Sequence, residues 1–149
     1  MIAYVDTSAA AKLVFEEFES EALTQQLDVL TKAGHRLVAS WLLHTELRCA
    51  ANRHPDQACA DVVSDVLSRI ALIDLERGDL TTGPLLPGRL RSGDAIHLAT
   101  ALRVGAEVMV VFDRELRSAA RIAGIPTASP GSRDEASGVG PGFPAESPD

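Results

Sequence analysis

Residues 2–13 read IAYVDTSAAAKL, and this stretch decides the fold class. The four-residue apolar run Ile2–Val5 predicts a short buried strand. Asp6 follows directly, and an Asp-Thr-Ser sequence is typical of the point where a helix is capped at its N-terminus. A helical pattern then continues through Phe15. A strand that feeds directly into a helix is the repeating unit of α/β domains, in which helices link parallel strands.

The same alternation of apolar runs and helical patterns continues along the chain. Further strands are predicted at Leu37–Ala39, Ile70–Leu75, Val108–Phe112 and near Pro126–Ala128. Further helices are predicted at Ser20–Ala33, Trp41–Arg53, Pro55 to about Arg69, Asp94–Val104 and Arg114–Ala123, with a short helix and a loop in residues 78–91. This order predicts a central parallel sheet of four to five strands with helices on both faces. Sites in such folds form at the carboxyl ends of the strands, near a topological switch point.

Length and composition indicate one domain followed by a tail. The chain has 149 residues, of which 46% are hydrophobic, and that length suits a single core. Residues 130–149 are rich in Gly, Pro, Ser and acidic residues, so we expect them to be disordered and the domain to span 1–129. The net charge is −7. A negative net charge argues against a broad basic face that binds nucleic acid non-specifically, but it is compatible with a local basic rim.

The chain shows few targeting or redox features. No basic region precedes the first apolar run, and no apolar stretch approaches the roughly 18 residues of a membrane span. We therefore expect a cytoplasmic protein with no membrane partner. Cys49 and Cys59 lie in helical patterns, and two cysteines do not make a disulfide framework. We expect both to be buried thiols.

Three acidic residues, Asp6, Asp94 and Asp113, occupy junctions where a helix is predicted to begin. Each would make a good helix cap on its own. Two features weaken that interpretation for the set. Asp6 and Asp113 each follow an apolar run that resembles a central strand, so both should emerge at the same edge of the sheet. Asp94 opens DAIHLATAL, a segment that is apolar almost all round and therefore buried, where a carboxylate needs a partner.

Glu46 lies on the apolar stripe of its predicted helix, because its neighbours one turn back are Leu42 and Leu43. An ionised carboxylate in that position needs a partner. Arg48, Arg53 or another basic group would serve, and so would a metal ion shared with the three aspartates. Four convergent carboxylates require a counter-charge. Their oxygen ligands suit Mg²⁺, with Mn²⁺ as a substitute, better than Zn²⁺.

The segments IAYVDTSAAAKL, HTEL, SGDAIHLATAL and MVVFDREL, in this order and spacing, resemble the PIN-domain ribonucleases. Within them they resemble the VapC-type toxins of type II toxin–antitoxin pairs, over residues 1–129. The resemblance implies a three-layer α/β/α sandwich, a Mg²⁺ or Mn²⁺ site, and hydrolysis of RNA to a 5′-phosphate and a 3′-hydroxyl. It also implies an antitoxin as protein partner, and homodimers are common in such families. The positions that match the family's four catalytic and metal-binding acids are Asp6, Glu46, Asp94 and Asp113.

One position departs from the family's pattern. Many relatives carry Thr or Ser two residues before the last acid, where this chain has Val111. Thr7 or Ser8 would be the nearest source of a replacement hydroxyl. The departure keeps a second hypothesis open, in which the chain is a PIN-like module that binds RNA or protein without cutting it. A phosphatase with an aspartyl nucleophile is a third, but it usually needs a second Asp where this chain has Ser8.

Other polar residues near these acids have less specific interpretations. Arg114, Arg117 and Thr7 are candidates for contacting the RNA substrate, and a solvated helix surface is the alternative for the two arginines. His97 shares a helix face with Asp94. A hydrogen-bonded packing histidine is the favoured interpretation, and a metal or acid–base role is the alternative. Three further acids are interpreted as surface charge: Asp74, Glu76 and Asp79.

Overall fold

Five parallel strands form one sheet in the computed structural model, which describes residues 1–134. The strands are β1 (Ile2–Val5), β2 (Arg36–Ser40), β3 (Ala71–Ile73), β4 (Val108–Val110) and β5 (Thr127–Ala128). Their spatial order is β3-β2-β1-β4-β5, and every neighbouring pair is parallel. The predicted parallel sheet is therefore confirmed, with β1 at its centre.

Helices cover both faces of this sheet. They are α1 (Thr7–Val14), α2 (Ser20–Lys32), α3 (Trp41–Arg53), α4 (Ala60–Ser68), α5 (Arg77–Thr82), α6 (Ser92–Arg103) and α7 (Arg114–Ile122), with a short 3₁₀ helix, Gly83–Leu85, after α5. Helices α1 to α4 pack against one another, whereas α6 packs against α5 and α7. This division follows from right-handed crossovers, because the chain moves outward from β1 to β3 and then returns past β1 to β4 and β5. The result is the three-layer α/β/α sandwich that the resemblance implied.

The central elements are apolar because other parts of the chain cover them on every side. All of Ala3, Tyr4 and Val5 in β1 are fully buried, and the β4 segment Val108–Val110 is buried as well. Helix α6 is buried along Leu98 and its neighbours, as its nearly continuous apolar sequence predicts.

The chain between α3 and α4 differs from the prediction. Residues 55–57 form a turn, and the Ala58 N–H donates to the carbonyl of His54. Helix α4 begins at Ala60, so the prediction that Pro55 opens this helix is wrong. In this turn the backbone N–H groups find hydrogen-bond partners without forming a helix.

Both cysteines are exposed free thiols, so the prediction of buried thiols is wrong. Cys49 lies off the buried stripe of α3, which consists of Leu43, Leu47 and Ala51. Cys59 precedes the first residue of α4, at a helix end that faces solvent.

Asp79 is buried, so its interpretation as surface charge is also wrong. The Arg103 guanidinium donates to both of its carboxylate oxygens, at 2.8 and 2.9 Å. These hydrogen bonds hold the pKa of Asp79 below its usual value. Glu76 and Asp79 also form a capping box at the start of α5. The cluster joins α5 to the last residue of α6, at the opposite end of that helix from Asp94.

The last described residues form hydrogen bonds with a side chain of α7. Arg117 donates to Asp134 at 2.8 Å and to Ser129 at 3.2 Å. The tail predicted from residue 130 onward lies mostly outside the described residues, so its disorder and the domain boundary at 129 stay predictions. Within the described part of the chain, no helix is long and apolar enough to cross a membrane.

Candidate active site

The carboxyl ends of β1 and β4 meet where the strand order reverses, with β2 and β3 on one side and β5 on the other. Val5 pairs with Val110 in the register of these strands, and the Asp6 N–H donates to the Val110 carbonyl at 3.0 Å. Asp6 and Asp113 therefore leave the sheet at the same edge, as the sequence predicted. Such switch points are where α/β folds bind their ligands.

Asp6 is a buried carboxylate, 2% exposed, with one satisfied and one unsatisfied oxygen. Oδ2 accepts hydrogen bonds from the Ser8 N–H at 3.0 Å and from the Ser8 hydroxyl at 2.6 Å, so Asp6 caps α1. Oδ1 is buried and has no hydrogen-bond partner within residues 1–134. A buried carboxylate oxygen without a partner is costly, and it marks a place where a cation would be stabilised.

Ser8 supplies a hydroxyl close to Asp6, in a chain that has Val111 two residues before Asp113. Its Oγ donates to Asp6 and accepts from the Phe112 N–H at 3.0 Å. Val111 itself is fully buried, and its carbonyl accepts from the Ser129 hydroxyl. Ser8 therefore links the chain after β4 directly to Asp6.

Asp113 and Asp94 occupy different positions relative to the starts of their helices. Asp113 caps α7, and its Oδ1 accepts from the Leu116 N–H at 2.8 Å. Asp94 is not a cap, because Arg91 is the residue that precedes α6 and Asp94 lies within the first turn. Asp6 and Asp113 therefore each use one carboxylate oxygen to cap a helix, whereas Asp94 caps none.

The charges at this edge of the sheet are coupled. Partial burial and the negative charges of Asp6 and Asp113 raise the pKa of Asp94 to about 6, and the charge of Glu46 adds to this. The raised pKa means that burial and the neighbouring negative charges disfavour the ionised form of Asp94, a cost that a bound cation would offset. The structure thus brings Asp6, Asp113 and Glu46 within electrostatic reach of Asp94.

Glu46 is bound by His97 of α6 and not by an arginine. His97 Nε2 lies 2.5 Å from Glu46 Oε1, and the Thr7 hydroxyl donates to the same oxygen at 3.1 Å. Arg48 donates instead to Ser64 on α4 at 3.0 Å. The suggestion that Arg48 balances Glu46 is wrong, because α3 turns that arginine toward α4.

Glu46 and His97 shift each other's ionisation. Burial works against the charged form of Glu46, but the hydrogen bond and charge of His97 outweigh it and lower the pKa of Glu46. Burial likewise disfavours the charged imidazole, but the hydrogen bond with Glu46 and the charges of Asp6, Glu46 and Asp94 outweigh it and raise the pKa of His97. Glu46 therefore loses its proton more readily than Asp94.

His97 is fully buried and hydrogen-bonded, which confirms the interpretation of it as a packing histidine. Sequence reasoning missed its contact with Glu46, and it missed Tyr4 altogether. The Tyr4 hydroxyl lies 2.7 Å from His97 Nδ1 and accepts from the Ser40 N–H at 3.0 Å. The available signal was the position of Tyr4 in a buried central strand, since a buried tyrosine hydroxyl needs a hydrogen-bond partner.

The two arginines proposed to contact substrate differ in their surroundings. Arg114 follows Asp113, and its side chain is 82% exposed, 3.6 Å from Asp134. The side chain of Arg117 is only 10% exposed and is held by Ser129 and Asp134. Arg114 is therefore accessible to a ligand, whereas Arg117 belongs to the packing of α7.

The donors at this edge fit a magnesium ion that keeps much of its hydration. Within residues 1–134, no group of three or more His, Cys, Asp or Glu side chains is arranged to hold a metal ion by itself. Mg²⁺ does not require such a cage, because it is usually bound through one or two carboxylates and several waters. The unpartnered Oδ1 of Asp6 and the oxygen-only donor set fit this mode of binding.

This fold and site are those of a PIN-domain protein. The family model described as PIN domain matches residues 3–122, a range that contains all four acids. The chain belongs to the PIN-domain family.

Curated relatives narrow that class to the VapC type. The chain is 35% identical over 133 residues to Ribonuclease VapC35 of Mycobacterium tuberculosis, an alignment that covers 86% of this chain and 96% of the relative. It is 34% identical over 130 residues to Ribonuclease VapC46 of the same organism, with 85% and 96% covered. Its fold is similar to that in the crystal structure of VapBC2 from Rickettsia felis bound to a DNA fragment from their promoter, with a TM-score of 0.63 and 15% identity over 80% of this chain and 93% of that chain. These similarities confirm the resemblance on which the sequence analysis relied.

Proposed function

We propose that the chain is a metal-dependent endoribonuclease and the toxin of a toxin–antitoxin pair. The observation that carries the proposal is the buried, unpartnered Oδ1 of Asp6 at an edge where Asp94, Asp113 and Glu46 also converge. The names of the relatives, both ribonucleases, support an RNA substrate. A silent binding module is the less favoured alternative, since it leaves these coupled acids without a role.

Mg²⁺, or Mn²⁺ in its place, is the cofactor that these donors suit. Asp6, Asp94 and Asp113 would hold the ion directly or through water, and Glu46 would hold it or orient a water. When bound, the ion supplies positive charge for the carboxylates and the scissile phosphate and lowers the pKa of water. The chain contributes acids that are already fixed in place, two of them by helix caps.

Glu46 is suited to orient the attacking water. Its lowered pKa keeps the carboxylate ionised, and Oε1 is engaged by His97 and Thr7. Oε2 lies toward the start of α6, because a Cβ added at Gly93 would come within 3.4 Å of it. A water that donates a hydrogen bond to Glu46 forms the new bond to phosphorus as the P–O3′ bond breaks. The proton that this water loses passes to solvent, and the leaving O3′ takes up a proton from solvent, which yields a 5′-phosphate and a 3′-hydroxyl.

Arg114 is the basic residue best placed to meet a phosphate of the substrate. It follows Asp113 at the start of α7, and its side chain is largely exposed. Arg117 would first have to give up its contact with Asp134, and the Thr7 hydroxyl is already bound within the site. RNA contacts by Arg117 or Thr7 are therefore weaker proposals than a contact by Arg114.

An antitoxin is the protein partner that we propose. The structural neighbour from Rickettsia felis is VapBC2, bound to a DNA fragment from their promoter. A partner that covers the acidic edge of the sheet would keep RNA away from Asp6 and Asp94. A homodimer and a cytoplasmic location stay predictions.

Mapping RNA ends after incubation with purified protein tests the proposed activity. Total RNA is incubated with the antitoxin-free protein and Mn²⁺, with a chelator added, or with Asp94→Asn in place of the wild type. Asp74→Asn is a matched control, because Asp74 is an exposed acid that follows the edge strand β3. We expect discrete new 5′-phosphate ends with the wild type and Asp74→Asn only.

Two results would contradict the proposed activity. Cleavage that persists in the chelator, or that is equal in Asp94→Asn, would exclude these acids as a metal-dependent site. No new ends with the wild type would favour the silent binding module.

A further inference from the structure

A chain of hydrogen bonds connects the end of β2 through Tyr4 and His97 to Glu46. The Ser40 N–H donates to the Tyr4 hydroxyl oxygen at 3.0 Å, and that oxygen lies 2.7 Å from His97 Nδ1. His97 Nε2 in turn lies 2.5 Å from Glu46 Oε1. Tyr4 and His97 are both fully buried, so bulk water does not compete for these bonds.

The carboxylate of Glu46 fixes the direction of its bond with His97. An ionised carboxylate only accepts hydrogen bonds, and Glu46 Oε1 lies 2.5 Å from His97 Nε2, so Nε2 carries a proton and donates it to Glu46. In the neutral ring the other nitrogen, Nδ1, is then an acceptor, and the Tyr4 hydroxyl 2.7 Å away donates to it. The Tyr4 oxygen in turn accepts the Ser40 N–H.

Thr7 indicates the same direction independently. Its hydroxyl donates its one proton to Glu46 Oε1 and also lies 3.1 Å from His97 Nε2. An oxygen that has already given its proton to Glu46 meets Nε2 as an acceptor, which requires a proton on Nε2. Thr7 and Glu46 therefore both require a proton on Nε2 of His97.

We propose that Tyr4 and His97 are positioning residues, which fix Glu46 with Oε1 bound to the protein and Oε2 turned toward Gly93 at the start of α6. The position of Oε2 follows from Gly93, the residue before Asp94, where an added Cβ would lie 3.4 Å from that oxygen. Without the Nε2 donor, the carboxylate of Glu46 would be free to rotate and exchange its two oxygens. The consequence for catalysis rests on the proposed function, whereas the direction of the hydrogen bonds does not.

A role in packing alone leads to a different expectation. If Tyr4 and His97 only filled the core, substitutions of His97 that preserve the packing would give equal turnover, whichever ring nitrogen the new side chain replaces. If they position Glu46, the donor at Nε2 is the feature that matters. Removing groups that orient the residues of a metal site typically lowers activity or metal affinity about 10- to 100-fold.

The direct test is nitrogen NMR of the full chain, labelled at histidine, in neutral to mildly alkaline solution. His97→Gln identifies the His97 signals by their loss. We expect a proton on Nε2 and an unprotonated Nδ1 in the wild type, and loss of this fixed tautomer in Tyr4→Phe. A proton on Nδ1 with none on Nε2 in the wild type would overturn the proposal. This measurement on the wild type does not depend on any variant folding.

Two substitutions at His97 test the consequence for catalysis. The amide of Gln reaches the place of Nε2, whereas the amide of Asn reaches the place of Nδ1. We expect His97→Gln to retain about tenfold more turnover than His97→Asn, with the KM for RNA equal in both. Equal turnover, or a difference confined to KM, would overturn the positioning role. If the wild type cuts no RNA, the proposed function fails, and the tautomer still decides the hydrogen-bond direction.

Discussion

Asp6 and Ser8 are joined by two hydrogen bonds that both end on one carboxylate oxygen, Oδ2 of Asp6. The Ser8 hydroxyl also accepts from the Phe112 N–H, so a single side chain ties the end of β1 to the chain after β4. This arrangement satisfies Oδ2 and leaves Oδ1 without a protein partner. It also brings a hydroxyl to Asp6 in a chain that has Val111 at the position where the resemblance to the PIN-domain ribonucleases implies Thr or Ser.

Ser8→Ala removes that link. We expect the free energy of unfolding to fall by about 1–3 kcal/mol, because the Phe112 N–H loses its acceptor and Asp6 loses a donor. Denaturant unfolding measures the change. Ser118→Ala, at an exposed serine of α7, is the control and should stay within about 0.5 kcal/mol of the wild type. Equal stability of the two variants would show that the Ser8 hydroxyl is not a structural link.

Asp94 should make stability fall as pH rises. Its pKa is raised from 3.8 to about 6 in the folded chain, so between about pH 4 and pH 6 the folded state keeps a proton that the unfolded chain releases. Asp94→Asn has no such proton. Relative to the wild type, we expect it to gain about 1–2 kcal/mol across this window, after allowance for solvent screening of a half-buried carboxylate. Denaturant unfolding of both proteins at several pH values measures the difference, and a difference that is independent of pH would contradict the raised pKa.

Binding of Mn²⁺ should raise the melting temperature at neutral pH, because the cation relieves repulsion among carboxylates that stand together only in the folded chain. At a free concentration ten times the dissociation constant, the gain is about 1.4 kcal/mol, or several degrees for a domain of this size. Asp6→Asn and Asp94→Asn should show a smaller increase, and Asp74→Asn the same increase as the wild type. Removing the metal should leave the fold intact. An increase that is equal in all four proteins would mean that the ion binds elsewhere.

Local sequence was sufficient to place Asp6 and Asp113. Each follows an apolar run, and parallel strands necessarily end at the same edge, so their proximity follows once the strands are recognised. Their capping role was equally readable, since Asp at the start of a helix has a local effect. Asp94 was found instead from the nearly all-apolar helical segment that it was predicted to open, although it proved to lie inside the first turn of α6 and not at its start.

Contacts between residues far apart in the sequence could not be predicted from local sequence. The bond between Glu46 and His97 joins residues 51 positions apart, and the bond between Tyr4 and His97 joins residues 93 positions apart. Both depend on how α6 packs against α3 and β1, which periodicity does not specify. The burial of Asp79 beside Arg103 is a further example, because a charged residue is expected at the surface until its partner is known.

Arg114 and Arg117 should separate substrate binding from stability. We expect Arg114→Gln to weaken RNA binding several-fold and to change the free energy of unfolding by less than about 0.5 kcal/mol, because its side chain is 82% exposed. Arg117→Gln should instead lose about 1–3 kcal/mol, since its buried guanidinium bonds to Asp134 and Ser129. Arg77→Gln, at an exposed arginine that starts α5, is the matched control.

RNA binding by these arginine variants is best measured on the Asp94→Asn background, so that cleavage does not consume the substrate. The affinity lost in Arg114→Gln should shrink as salt concentration rises, because a phosphate contact is screened by counterions. Unfolding of the same proteins gives their stability independently. If Arg114→Gln binds RNA as well as Arg77→Gln does, Arg114 is solvated helix surface and the phosphate contact lies elsewhere. If Arg117→Gln loses RNA affinity without losing stability, Arg117 must leave Asp134 when substrate binds, and the two arginines exchange the roles assigned to them.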